Sequence, residues 1–287
     1  MNVLPHPIPY QGSKRRLVPK ILPFLPTEIA TYREPFCGSA ALALAVASTH
    51  RAERILLNDS LVPLAALWTR LLEAPAALAD RYEALWHAQG EDSRAHYERV
   101  RADFNATGEP DLLLYLLARC VKSAVRFNRQ GAFNQSADLR RKGARPETMR
   151  RHILGASTLL APRTSVRAGD YGGVLREAGP HDLVYLDPPY VGTSRGRDKR
   201  YVEQLDLDRF VDEVAALLSR GVALVISLDG QGAGMRYGEP LPASLGLVRL
   251  DLQAGPSAQA TLLGRRETTV ESLYLSPSLA RRAQGGR

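Results

Sequence analysis

The period of apolar positions changes twice along the chain. Near the start, a Gly/Lys-containing turn leads through a helix-like stretch, 15–24, into a short β-rich segment at 32–36. A small-residue loop follows, then an Ala/Leu-rich helix at about 40–48 and a strand at 54–59. Strand, Gly loop, helix and strand form the opening of a parallel α/β unit. From Leu61 to about Arg163 the apolar residues recur at helical spacing, as in Leu64, Leu67, Leu71, Leu72 and Leu78 and again over 112–121, which predicts a mainly helical insertion. Within it, segment 124–135 breaks the helical period with a Gly turn between aromatics and amides, and reads as an exposed hairpin or loop. Strands return at 166–170, 183–187, 222–227, 247–252 and 270–275, with a helix at 207–218. The unbroken run 222–226 suits a strand buried on both faces, whereas the last two strands alternate as antiparallel ones do. The fold class expected is α/β, a Rossmann-like sheet interrupted at 61–163 by helices, its halves at 1–60 and 164–280, with a disordered tail at 281–287.

The most informative tetrapeptide is Asp187-Pro188-Pro189-Tyr190, directly after an apolar strand. Ligands of open α/β sheets sit beyond the carboxyl ends of strands, so these residues belong at the mouth of a site. Two prolines fix the backbone and remove two N–H donors, leaving carbonyls and a carboxylate to accept hydrogen bonds beside an aromatic wall. Such a pocket fits an amino group on an aromatic ring. Its lone pair is delocalised until acceptors, here Asp187 and the Pro188 carbonyl, hold its N–H bonds, while Tyr190 stacks on the ring. Alignment with a sulfonium methyl then needs mainly proximity and orientation, and no metal. The bland alternative is a surface turn in which Pro-Pro ends a strand.

A second constellation is Glu34-Pro35-Phe36-Cys37-Gly38-Ser39-Ala40, a small-residue loop between strand and helix. Gly38 and its neighbours allow close backbone approach, and a helix N-terminus favours a carboxylate. Asp59 closes the next strand, where a carboxylate meets ribose hydroxyls in nucleotide-binding folds; capping the helix from Leu61 onward is the competing reading.

Taken in order with Tyr10-Gln11-Gly12-Ser13-Lys14, these motifs resemble those of the Dam-type (alpha-class) DNA amino-methyltransferases over nearly the whole chain, from Pro7 to about Leu275. The resemblance implies transfer of a methyl group from S-adenosylmethionine to the exocyclic amine of a flipped base in double-stranded DNA, adenine N6 first and cytosine N4 by the same chemistry. It implies a donor site at Tyr10, Lys14, Phe36, Gly38, Ser39, Asp59 and Asp187, with Gly169-Asp170-Tyr171 lining the donor's adenine. Without it, Lys14 reads as a solvated charge and Tyr10 as a partly buried aromatic. The helical insertion becomes the target-recognition region. In it, Arg126, Phe127, Asn128, Arg129 and Asn134 match the recognition hairpin, and Arg140, Arg141, Lys142 and Arg145 are placed to hold phosphates. Arg suits guanine, Asn suits adenine, and an aromatic can wedge into an opened stack. Two departures stand out: the last Gly of the family's Phe-x-Gly-x-Gly loop is Ala40, and Ser227-Leu228-Asp229-Gly230 replaces a common Ile-Ser-Asn. A loop at 192–200 that orders on DNA is also expected.

Composition changes this picture little. At 287 residues with 45% hydrophobic, the chain can bury a large core. The net charge of +8 suits a polyanion partner and is weak evidence alone. Cys37 and Cys120 are far apart, supporting neither a disulfide framework nor a zinc site. No apolar run approaches a membrane span and no secretory pattern opens the sequence, so a cytoplasmic location is expected. An RNA or protein-glutamine methyltransferase and a catalytically silent DNA-binding module are the alternatives. A cognate restriction endonuclease, the oligomeric state and the recognition sequence are left open.

Overall fold

In a computed structural model, which describes residues 4–189, 205–232, 235–237, 240–256 and 268–285, the core is organised by Ile29–Glu34 (β1), Ala52–Asp59 (β2), Thr164–Ala168 (β3), Leu183–Leu186 (β4), Ala223–Gly232 (β5), Met235–Tyr237 (β6), Val248–Pro256 (β7) and Thr268–Leu275 (β8). They form one sheet in the order β3-β2-β1-β4-β5-β8-β7, with β6 paired to β5. Strands β1 to β5 are parallel, and β8 and β7 add on antiparallel. The contrast expected between the run 222–226 and the last two strands is met: Leu224, Val225 and Ile226 of β5 are buried beside parallel β4, itself buried throughout, whereas β7 and β8 are antiparallel.

The covering comes from two helical layers. Alternation sends Leu183 and Tyr185 to one apolar cluster and Val184 and Leu186 to another. The first cluster contains Ala41–Ser48 (α2), apolar and buried almost all round because it lies between the sheet and Pro146–Leu160 (α7). The second is made by Tyr171–Arg176 (α8) and Leu207–Ser219 (α9), whose Phe210, Val214 and Leu217 face inward. Ahead of β1, a 3₁₀ turn at Lys14–Arg16 and a short helix, Val18–Ile21 (α1), replace the single helix expected at 15–24, since Pro19 and Pro23 interrupt it.

Between β2 and β3 lie Val62–Glu73 (α3), Pro75–His87 (α4), Ser93–Thr107 (α5), Pro110–Arg119 (α6) and α7. Trp68 and their leucines, the exposed Leu154 of α7 apart, belong to the same apolar cluster as the sheet. Both cysteines are buried and free, Cys120 among them.

One expectation needs amendment, and one helix was not foreseen. Residues 171–176, to which the sequence assigned no element beyond the strand-end motif Gly169-Asp170-Tyr171, form α8, because Asp170 caps its first turn by accepting from Gly172 N at 3.0 Å. The tail expected to be disordered from 281 is helical to its limit at Gly285: Pro277–Gly285 (α10) begins with Pro, which is pre-organised for a first helical position. Tyr190 and the loop 192–200 lie outside the described residues.

The sheet extends from β1 in both directions, to β2 and β3 on one side and to β4 and β5 on the other. The switch point therefore falls between β1 and β4, and the crevice beyond their carboxyl ends is where a ligand of such a sheet sits.

Candidate active site

The crevice is a cavity of about 800 Å³ at those strand ends. Tyr10, Lys14, Phe36, Gly38, Ser39, Asp59, Asp170, Tyr171, Asp187, Pro188 and Pro189 all line it. Sequence positions up to 179 residues apart, Tyr10 and Pro189, thus converge, because each follows a parallel strand or is folded back over its end.

The turn after β1 is built by exchange of backbone groups. Gly38 has φ +45 and a Cβ there would stand 3.2 Å from the Tyr10 ring, so glycine permits both the conformation and the contact. Gly38 N donates to Asp59 Oδ2 at 3.1 Å, and Trp68 Nε1, from α3, donates to Gly38 O at 2.9 Å. Asp59 Oδ1 accepts from Leu61 N at 3.0 Å. Asp59 thus pins the backbone turn that leads into α3 and lines the cavity, without capping α3, whose N-cap residue is Leu61 and carries no side-chain cap. Burial raises its pKa to about 6 against these two hydrogen bonds. Ala40 takes φ 47, a left-handed conformation held by a side chain that disfavours it.

Beneath the turn, Glu34 is buried and accepts from Tyr32 Oη at 2.9 Å and from Ala43 N at 3.1 Å. It joins the end of β1 to the first turn of α2, and burial raises it to about 8. At the end of β4, Asp187 Oδ1 lies 2.8 Å from Lys14 Nζ. Lys14 is 6% exposed, so the reading of a solvated charge fails. The same ammonium lies 3.4 Å from Glu271 Oε2 on β8. Burial raises Asp187 to about 6, Lys14 opposing and Glu271 adding to the rise.

Aromatic side chains form the far wall. Phe36 and Tyr171 rings lie 5.1 Å apart, and the Arg209 guanidinium stands 5.0 Å from the Tyr171 centroid. Arg209 also donates to Asp170 Oδ2 at 3.1 Å and holds that carboxyl below the ordinary carboxylate range. Two buried hydroxyls in the lining, of Tyr185 and Tyr171, have no hydrogen-bond partner among the described residues.

Residues 10–219 match the family described as D12 class N6 adenine-specific DNA methyltransferase. The chain belongs to this family. It is similar to type II methyltransferase M1.LlaDCHI of Lactococcus lactis subsp. cremoris, 24% identical over 196 residues, 64% of this chain and 65% of that protein. It is similar also to the modification methylase StsI of Streptococcus sanguinis, 26% identical over 198 residues, 66% of this chain and 29% of that one. The DNA N-6-adenine-methyltransferase of Escherichia phage P1 is 26% identical over 234 residues, covering 77% of this chain and 29% of the phage protein. The matched stretch thus spans less than two thirds of each relative's own length.

In this family member, the expected recognition hairpin closes through a bridge between Phe127 and Phe133, with Asn128 N donating to Ala132 O at 2.8 Å and Asn134 N to Arg126 O at 3.0 Å. Val125 and Phe127 reach the cavity that holds Asp187. Phe133 is buried against Phe104, and the Asn105 amide grips its backbone from both sides, donating to Phe133 O at 3.0 Å and accepting from Phe133 N at 2.7 Å. The Asn128 carbonyl is committed within the turn, accepting from Gln130 N at 3.0 Å and Ala132 N at 2.9 Å, which leaves its amide N–H groups as the outward donors. Arg129 and Asn134 are exposed. Arg140 and Arg141 both pair with the buried Asp138, at 3.2 and 2.7 Å, and their guanidinium groups hold that carboxyl far below its usual range. Two cations on one anion leave a net positive edge, with exposed Lys142 and Arg145 beside it.

The sequence reading missed Arg209, Trp68, Asn105 and Glu271, and gave Glu34 no role beyond opening the loop. For Glu34 a signal existed, a carboxylate ending an apolar strand before the Gly loop. The others are ordinary residues whose partners lie far along the chain.

Among the described residues no cluster of side chains could hold a metal ion, and no helix is long and apolar enough to cross a membrane.

Proposed function

We propose that the chain transfers a methyl group from S-adenosylmethionine to the N6 amine of an adenine flipped out of duplex DNA. The observation that carries this reading is the convergence on one cavity of the Gly38 turn, the Asp187 carboxylate and Phe127 of the hairpin.

The lining fits such a donor. Asp59 and the close backbone at Gly38 suit a ribose and the adjoining chain, Phe36 and Tyr171 offer ring faces to a purine, and the unpartnered hydroxyls of Tyr171 and Tyr185 can take up polar atoms. The start of α2 is suited to a carboxylate. Bound there, S-adenosylmethionine supplies an electrophilic methyl group on its sulfonium.

The protein's own part is to make a poor nucleophile available. Asp187 and the Pro188 carbonyl accept the two N–H bonds of the amine, drawing its lone pair out of the ring. Pro188 and Pro189 offer no N–H that would compete for the carboxylate. Lys14 fixes the rotamer of Asp187 through one oxygen. Phe127 and Val125 wall the pocket on the DNA side and keep the base from leaving the acceptors, which is an orientation effect. Phosphates engage the exposed basic residues around Asp138, independently of Asp187.

The test compares the full chain with Asp187→Ala in transfer of labelled methyl groups to unmethylated DNA, with DNA affinity measured by fluorescence anisotropy. Transfer should vanish in the variant while nonspecific affinity stays within about threefold, since phosphate contacts dominate that affinity. Undiminished turnover by Asp187→Ala would remove the acid from the reaction.

A further inference from the structure

Lys14 stands between two carboxylates that come from opposite parts of the chain. Its Nζ is 2.8 Å from Asp187 Oδ1, at the end of β4, and 3.4 Å from Glu271 Oε2, on β8. Glu271 is not free to drift. Its strand is paired on both sides, Glu271 opposite Gly230 on β5 and Leu252 on β7, and its Oε2 accepts from the buried Ser227 hydroxyl at 3.3 Å. An ammonium has three donors in a flexible head and satisfies a nearby carboxylate as fully as geometry allows. Without Glu271, it would lean more fully on the Asp187 oxygens that the target amine needs as acceptors. A second, rigidly held anion divides its attention and leaves the site with one net negative charge at the place where the amine must give up electron density to the methyl group.

We propose that Glu271 is a positioning residue for the methyl transfer: by sharing Lys14 with Asp187 it keeps the Asp187 carboxylate open to the target amine. This rests on the methyltransferase reading given above. Glu271 does not touch the substrate in this account and acts through Lys14.

The consequence is visible in the pH profile. The charged and titratable groups around Asp187 are Lys14 from the N-terminal turn, Tyr32 and Glu34 from β1, Tyr185 from β4 and Glu271 from β8. Of these, Lys14 favours the Asp187 anion and Glu271 opposes it. Removing the Glu271 charge therefore lowers the Asp187 pKa twice over, by deleting a repulsion and by ending the competition of Glu271 for Lys14.

The experiment measures kcat for methyl transfer to DNA against pH for the full chain, Glu271→Gln and Glu271→Asp, with melting curves to establish that each variant folds. For Glu271→Gln the expected result is a kcat lower by about tenfold at pH 7.5, with donor KM within about threefold, and an acid limb displaced by about 0.5 to 1 unit to lower pH. Glu271→Asp, shorter but charged, should move the limb the same way by less and recover part of kcat. If Glu271→Gln does not fold, the aspartate variant carries the test. A folded variant whose acid limb coincides with that of the parent overturns the proposal even if kcat has fallen. Absence of methyl transfer by the parent overturns the methyltransferase reading itself, and this role of Glu271 with it.

Discussion

The backbone N–H of Gly38 donates to the Asp59 carboxylate at 3.1 Å, so the loop that follows β1 is gripped by the end of β2. The other side of Gly38 is filled by Tyr10. A side chain at Gly38 must therefore displace either the ring or the hydrogen bond. Gly38→Ala should destabilise the protein by about 1 to 2 kcal/mol through its left-handed φ and weaken donor binding by tenfold or so. Calorimetric titration with S-adenosylmethionine and thermal melts check both, and unchanged donor affinity would detach this turn from the donor site.

At the neighbouring left-handed position the opposite change is informative. Ala40 holds φ 47 at the cost of contact between its Cβ and the following carbonyl. Ala40→Gly relieves that strain and adds chain entropy to the unfolded state, two effects of similar size, so stability should rise by about 0 to 1 kcal/mol. A loss above about 1 kcal/mol in denaturant titrations would mean that the methyl group packs more than it strains.

Two buried carboxylates should separate activity from stability by pH. Asp187 must be ionised to accept from an amine, and its pKa is raised to about 6, so kcat should fall as pH drops through about 6. Glu34 is raised from 4.5 to about 8, chiefly by burial. For an acid raised on folding, its stabilising contribution is complete below the unfolded value and is lost as pH rises through the folded one. Glu34→Gln abolishes that loss. The melting temperature of the variant relative to the parent should therefore climb between about pH 4.5 and pH 8 and level off above, and a constant difference would place the Glu34 ionisation elsewhere.

The Asn105 side chain acts as a substitute strand neighbour for Phe133, meeting both its N–H and its carbonyl. Asn105→Ala leaves two backbone groups to find new partners, at a cost of about 1 to 3 kcal/mol. The hairpin bearing Phe127 should loosen, raising KM for DNA while donor affinity stays as it was. Equal effects on DNA and donor would show that the damage spreads beyond the hairpin.

How much of this was legible beforehand depends on how local each cause is. The strands and α2 announce themselves through apolar runs, and Asp187 through the prolines that follow a buried strand. The small-residue loop was legible as a place of close backbone approach, but not the left-handed conformations that Gly38 and Ala40 take there. By contrast, Trp68 looks like any core residue until α3 carries its indole to Gly38, 30 residues away. Arg209 is one of many arginines until α9 sets it beside Asp170, 39 residues away. Glu271 meets Lys14 only because the antiparallel edge of the sheet brings the end of the chain back to its start. The α8 helix was obscured by Gly172 and Gly173, poor helix formers whose disadvantage the Asp170 cap and the apolar Val174 and Leu175 outweigh. Arg140 and Arg141 appeared as a uniform basic run, since Asp138 two and three residues earlier reveals its burial only in the fold.

The central claim is that the acid at the end of β4 activates an adenine amine. Its most direct test is to incubate the full chain with isotopically labelled S-adenosylmethionine and unmethylated genomic DNA, digest the DNA to nucleosides and identify the labelled product by mass spectrometry. The account predicts label in N6-methyladenine, absent when Asp187→Ala replaces the parent. Label in N4-methylcytosine would contradict the assignment of the base, and labelled RNA or protein with unlabelled DNA would contradict the assignment of the substrate.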